Sequence, residues 1–313
     1  EAARIYACNR PGCIYVRLGS GAQQVTSTQT CRAISILIGI TGNVDAKGGN
    51  LLYHRTFQEA LMWHPYIMFS GVKPPAAVNE KRFGARQYPL MHKAAFCHIP
   101  TTIKAMEQGK ARAMWAVANN LIVAEMDSSR IWEILKNRLD FIFVSELFMT
   151  PTAELADIVL PAAFYTECDQ LVEAFGHPSR TISARERIVE PAGECRDDRE
   201  VAIEIGRRMG MDVSPWNTLH DYFNWMLKYQ EMNYHELLQK PNATLTLPRS
   251  YQRYQTSTTP FNTPTGKVEL YSTIFEAMGS NPMPVFQEPP ESPISTPELF
   301  KQFPFIYTHY RAH

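Results

Sequence analysis

The chain has 313 residues, 45% hydrophobic and 20% charged, a globular composition with enough length for one large or two ordinary domains. Lys plus Arg and Asp plus Glu both number 31, for a net charge of zero, which argues against a nucleic-acid or anionic-membrane surface as its main business. The longest apolar run, around Ala33 to Ile40, falls far short of the roughly 18 residues a bilayer span needs.

Glu1 to Ala7 reads as the interior of a helix. With neither an initiator Met nor a basic-then-apolar leader at one end, and an abrupt stop at His313 at the other, the expectation is an internal piece of a longer protein. Ile14 to Leu18 alternates like a strand. A helix fits Thr26 to Thr41, with Cys31, Ile34, Leu37 and Ile38 at helical spacing, and Gly42-Asn43 is a plausible C-cap. A polar glycine loop follows to Asn50. Residues 51–99 are aromatic, proline-bearing and aperiodic, the signature of a long functional or wrapped loop; its His54, Trp63 and His64 have no spacing that fixes a metal or catalytic group.

From Pro100 the pattern becomes regular. A helix to Glu107 precedes strand Ala113–Val117, helix Ser128–Arg138, strand Phe141–Ser145, a helical turn Ala153–Ala156 and strand Ile158–Leu160. The strands are continuous apolar runs, as in parallel sheets covered on both faces. The fold class is therefore α/β, with doubly wound, mostly parallel sheets and an extended, loop-rich C-terminal segment. An antiparallel strand fits Thr181 to Val189, and helices fit Asp198 to Met209 (capped by Asp197 or Asp198) and Leu219 to Glu231. The organisation is 1–50 as the end of one α/β domain, 51–99 as a connecting loop, 100–240 as a second α/β domain and 241–313 as an extended segment, with Phe305 to Thr308 strand-like.

Three successive strands lead into polar residues: Asn119, Asn120 and Asp127; Glu146, Thr150 and Thr152; Glu167 and Asp169. In a parallel sheet these tips lie side by side, where open α/β sheets bind ligands. Amides and carboxylates there suit a nucleotide's ribose and base; helix capping and turn formation explain the same residues equally well. The loop TGNVDAKGGN can approach a phosphate or flat cofactor, or be a plain turn. No Gly-x-Gly-x-x-Gly fingerprint or Walker loop occurs. The six cysteines include no Cys-x-x-Cys pair, which disfavours a cluster or zinc site.

Three stretches carry a resemblance. TCRAISILIGITGNVDAKGGN, SELFMTPTAELADIVLPAAFYTECD and FNTPTGKVELYS, in that order and with Glu186 to Arg207 between the last two, resemble the molybdopterin oxidoreductases of the dimethyl-sulfoxide-reductase type. The resemblance implies a bis-molybdopterin guanine dinucleotide cofactor carrying molybdenum or tungsten. Thr41, Gly42, Asn43, Gly48, Gly49 and Asn50 would then lie along a pterin or near the metal. Asn120, Asp127, Glu146, Thr150 and Thr152 would line a guanosine pocket, with Glu167 and Asp169 nearby. The metal's protein ligand and a 4Fe-4S cluster are expected outside this sequence, and Cys168 is a weak candidate ligand. A small-molecule or oxyanion substrate and an iron–sulfur electron-transfer subunit are the implied partners, in a prokaryotic periplasm or cytoplasm. His54, His64, Arg82, Arg86 and Tyr88 are candidates for a substrate funnel.

The sequence departs from the family pattern at Ala118-Asn119-Asn120-Leu121, where Gly-x-Asn-Pro is common, and at Ser145-Glu146, where Gln-Asp is common. Two other readings follow: a cofactor-free scaffold or electron-transfer relative of the same fold, and a nucleotide-binding module without base preference.

Overall fold

The computed structural model describes residues 1–16, 25–52, 80–88, 97–173, 180–213, 216–256, 261 and 263–307. The chain divides into two compact units, Glu1–His54 with Arg249–His313, and Arg55–Pro248.

In the first unit, helix α1 spans Ala2–Cys8 and α2 spans Ser27–Ile40. Helix α2 closes with the paired bonds Gly42 N–H to Gly39 O and Asn43 N–H to Ile38 O, a Schellman end that satisfies two orphan carbonyls. The later part of the chain packs onto α2. A Cβ at Gly39 would lie 2.6 Å from a Val268 methyl, so only glycine allows that approach. Arg32 donates to Asn281 O at 3.0 Å and sits 4.4 Å over the Phe275 ring. Short helices Thr273–Ala277 and Pro297–Gln302 complete the described part.

Two strands expected here do not form among the described residues. Ile14 to Val16 is irregular; the side-chain amide of Asn50 lies along Ile14 as a strand would, accepting from Ile14 N–H at 2.9 Å and donating to Ile14 O at 2.8 Å. Phe305 to Tyr307 is irregular and largely exposed, because apolar pattern without a ladder partner leaves backbone groups to water.

The second unit holds two sheets. Helix α3 (Ile99–Glu107), strand β1 (Ala113–Val117), helices α4 (Leu121–Ala124) and α5 (Ser128–Arg138), strand β2 (Phe141–Glu146), helix α6 (Pro151–Glu154) and strand β3 (Ile158–Pro161) build the first. Its order is β1-β2-β3, all parallel. One face buries Ala116, Ile142 and Val144 against Ile103, Met106, Ile131, Ile134 and Leu135 from α3 and α5. The other carries a Trp115–Phe143 stack with centroids 5.0 Å apart and, near the C-terminal end of β2, the buried Ser145.

The second sheet is antiparallel: β4 (Gln170–Glu173), β5 (Arg180–Arg185) and β6 (Thr244–Leu247). Ile182 from β5 packs with Phe223, Leu227, Tyr234 and Leu237, from helices α8 (Leu219–Leu227) and α9 (Tyr234–Leu238), which follow α7 (Asp198–Arg208). Strand β5 stops at Arg185 instead of reaching Val189. The next residues turn away, with Arg187 N–H bound to the Asp169 carboxylate and Ile188 N–H to Thr166 O. Helix α8 likewise ends at Leu227, giving way to a 3₁₀ turn and to Glu231 at φ 51°, a left-handed residue that no helix continues through. No helix among the described residues is long and apolar enough to cross a membrane.

Candidate functional site: a polar sheet rim and a glycine loop

The parallel order brings the ends of β1, β2 and β3 together, with Val117 beside Ser145 and Glu146 beside Pro161. Beyond β1 the backbone is strained: Ala118 has φ 48° and Asp127 has φ 64°, values non-glycine residues avoid and which cluster at functional positions. Asp127 caps α5 by accepting from Arg130 N–H at 3.2 Å. Thr150 caps α6 by accepting from Ala153 N–H at 3.2 Å. Thr152 is fully buried. Its hydroxyl accepts from Ile122 N–H at 3.1 Å and donates to Asn120 Oδ1 at 2.9 Å, so it meets the rim only through Asn120.

One oxygen of Glu146 accepts from Leu147 N–H at 2.8 Å. Around it Leu147, Phe148 and Met149 are exposed, as is Met126 beyond β1. An amide with donors to spare, a half-satisfied carboxylate and flat apolar neighbours fit the hydrogen-bonding edges and faces of a nucleoside.

Glu167 and Asp169 are engaged one layer further out. Glu167 accepts from Phe164 N–H at 2.7 Å and Ala192 N–H at 3.1 Å. Asp169 accepts from Arg187 N–H at 2.8 Å and pairs with His220 Nε2 at 2.7 Å. Both carboxylates therefore grip the 187–192 segment and, with Asp197 and His220, line a cavity of about 260 Å³.

Sequence reading treated Asp197 and Asp198 only as caps and missed the network they build. Asp197 holds Arg199 Nε at 2.8 Å, while Arg199 also donates to Asp169 O at 2.6 Å and lies 5.2 Å over Phe223. Burial pushes the Asp197 carboxyl up, but the hydrogen bonds and charge of Arg199 outweigh it and hold it below the ordinary value. Asp198 accepts a short bond from the Ser145 hydroxyl, and burial raises its carboxyl despite that bond, helped by the nearby Asp197 and Glu146 charges. The run Asp-Asp-Arg at a helix start is a visible signal, though only the fold shows what the arginine reaches.

The Gly42 to Asn50 loop belongs to the first unit. Thr41 and Asn43 are buried, Asn43 Nδ2 donating to Thr41 Oγ1 at 3.0 Å. Asn43 Oδ1 accepts from Gly12 N–H at 2.9 Å, so Asn43 and Asn50 both clasp the segment 12–14. A Cβ at Gly49 would fall 2.3 Å from Asn43 O, hence the loop's own closure demands that glycine. What it leaves exposed is the Gly42 and Lys47–Gly48 edge; its side-chain amides are already committed.

Cys168 is buried, its thiol donating to Ala163 O at 3.8 Å, and burial is the main cause that pushes it up to about 12; such a thiol does not favour the thiolate a metal ligand requires. Among the described residues no group of three or more His, Cys, Asp or Glu is placed to hold a metal. Of the funnel candidates, His54 and His64 lie outside the described residues, as does Trp63. Arg86 and Tyr88 are exposed, with Tyr88 against His98 at 4.8 Å, and Arg82 is half-buried.

A parallel sheet with crossover helices and polar side chains gathered at its strand ends defines the doubly wound α/β class. Within that class the chain belongs to the molybdopterin oxidoreductase family, whose profile matches residues 15–208. It is 31% identical over 249 residues to acetylene hydratase of Syntrophotalea acetylenica, a match covering 78% of this chain and 33% of that protein. It is 30% identical over 213 residues to dopamine dehydroxylase of Eggerthella lenta, covering 64% and 20%. The solved structure of acetylene hydratase from Pelobacter acetylenicus superposes with a TM-score of 0.79 at 25% identity, covering 97% of this chain and 44% of that one. The chain thus spans a third or less of the length of these two curated relatives.

Proposed function

We propose that this chain is the central part of the catalytic subunit of a molybdenum or tungsten oxidoreductase, and that its role is to hold the pyranopterin guanine dinucleotide form of the cofactor. The observation that carries this reading is the rim: Asn120 and Glu146 stand at neighbouring parallel strand ends, with groups left for a ligand, in a chain of this family. When bound, such a group supplies oxygen-atom or electron-transfer chemistry, and the protein supplies position and electrostatics.

In this reading Asn120 and Glu146 meet the guanosine, Asp127 and Thr150 fix the backbone that surrounds it, and Thr152 anchors Asn120. Glu167 and Asp169 hold the outer 187–192 wall. In the other unit the Gly42–Gly48 edge offers backbone to a pterin, braced by Thr41, Asn43, Gly49 and Asn50. The acidic groups of the rim bind a nucleotide tail and take no part as catalytic acid or base. A small-molecule or oxyanion substrate and an iron–sulfur partner subunit complete the proposal.

The test is metal and nucleotide analysis of the complete protein purified anaerobically. Molybdenum or tungsten with guanine nucleotide released on denaturation is the expected result; a folded protein carrying none of them overturns it. The second reading, a cofactor-free scaffold, draws on the altered Asn119-Asn120-Leu121 tip, which follows Ala118 at φ 48°.

A further inference from the structure

We infer that Thr152 is a positioning residue that fixes the orientation of the Asn120 amide, leaving its NH₂ for a ligand, and that this orientation makes the rim select an oxo-purine over an amino-purine. The inference rests on the nucleotide-binding reading above and adds to it the origin of base choice.

Thr152 is 0% exposed, so its proton must find a partner within the protein. Its oxygen already accepts from Ile122 N–H at 3.1 Å. The remaining neighbour is the Asn120 side chain at 2.9 Å. Were the Asn120 amide turned over, its NH₂ would face the hydroxyl, and the Thr152 proton would be left buried without an acceptor, at a cost that a native site avoids. The network therefore engages the amide's oxygen and leaves both hydrogens of the NH₂ for a ligand. An asparagine free to turn reads donors and acceptors alike; this one is held with its donors available, which favours an acceptor.

The surroundings decide which acceptor. The charged side chains in 118–127 and 146–153 are Glu125, Asp127 and Glu146, all acidic. A phosphate beside them meets like charge, whereas a base carbonyl is neutral and carries no such penalty. An acceptor carbonyl beside an N–H, which a carboxylate such as Glu146 can receive, describes the edge of guanine or hypoxanthine. Adenine puts an amino group where the carbonyl stands, setting donor against donor, and a site built to bond one polarity rejects the other strongly.

The experiment uses the complete protein produced in a host that makes no pterin cofactor, with GDP, IDP and ADP titrated calorimetrically. Wild type is expected to prefer GDP and IDP to ADP. Thr152→Val removes the hydroxyl at nearly constant volume and frees the amide to turn. It is expected to cut the GDP-to-ADP preference about tenfold, weakening GDP and IDP alike while ADP binds at least as well as before, and Thr152→Ser is expected to restore the preference. A merely structural role for Thr152 lowers all three affinities together. A folded Thr152→Val protein with the wild-type preference overturns the inference and leaves the proposed function standing. If Thr152→Val does not fold, Asn120→Asp, which keeps an acceptor for Thr152 and replaces the outward NH₂ by oxygen, decides the matter: loss of GDP preference supports it, retention overturns it. Wild type that binds none of the three, or all three equally, overturns both readings.

Discussion

The Asp45 carboxylate, fully buried, lies 3.2 Å from Nε of Arg253, 208 residues further along the chain. It also accepts from Arg253 N–H at 3.2 Å and Leu52 N–H at 3.3 Å, while Asp45 O accepts from Gln252 N–H at 2.8 Å. One residue of the glycine loop thus fastens the two sequence segments of the first unit together. A charge so enclosed is tolerable only while its partners remain.

Arg253→Ala leaves that carboxylate without its cation and is expected to destabilise the protein by about 3–5 kcal/mol. Urea denaturation checks it, with Arg208→Ala as the comparison, since the Arg208–Glu204 pair lies on the surface, where water and salt screen it and its loss is expected to be the smaller. Equal losses for the two substitutions would remove Asp45–Arg253 from the account of what closes this unit.

Ala118 bears on the departure from the family pattern. At φ 48° its methyl carries a left-handed penalty of about 1–2 kcal/mol, partly offset by the greater freedom that glycine has in the unfolded chain. Ala118→Gly is therefore expected to stabilise by about 0.5 kcal/mol, where an ordinary Ala→Gly change destabilises. A shift of the urea midpoint to lower concentration contradicts this.

The parallel sheet was legible because each strand is a short apolar run bounded by polar turns, and the observed β1 matches its expected bounds residue for residue. The Ser128–Arg138 helix was legible as an element, with Asp127 a possible cap at its head, a role the structure gives it. What escaped reading has no local signal. Strand β4 (Gln170–Glu173) is only four residues long and forms against β5. Asn50 impersonates a strand for Ile14 from 36 residues away. At the rim, sequence named the residue types, and the distinction between a half-buried Glu146, a fully buried Thr152 and a committed Asp169 emerged only from burial and bonding.

Two adjacent carboxyls give the protein opposing pH dependences. Asp197 sits below its usual 3.8 in the folded protein, because the hydrogen bonds and charge of Arg199 overcome a burial that acts the other way. Its contribution is present above pH 3.8 and disappears as the pH falls through the lower, folded value. Asp198 is raised above 3.8, chiefly by burial. Its contribution is present below pH 3.8 and lost as the pH rises through the raised value. Asp198→Asn, which keeps an oxygen for the Ser145 hydroxyl, is expected to raise Tm at pH 7 by about 2 °C, with the gain shrinking towards pH 4. Asp197→Asn is expected to lower stability at pH 7 by about 3 kcal/mol and to converge on wild type in stronger acid. Parallel pH–Tm curves for either variant and wild type contradict the assignment.

Cysteine chemistry separates burial from position in the same region. The Cys168 thiol lies in the acidic turn between the rim and β4, yet burial, together with the Asp197 charge, pushes it up to about 12. At pH 8 the thiolate is then on the order of one molecule in 10⁴, and the residue is only 7% exposed to a reagent. Cys8 and Cys13 are exposed. Brief iodoacetamide treatment of the native protein, followed by peptide mass spectrometry, is expected to label Cys8 and Cys13 and to leave Cys168 unmodified until urea is added. Labelling of Cys168 at the rate of Cys8 in native buffer would mean that the turn opens freely, and with it the grip of Glu167 and Asp169 on the outer wall of the rim.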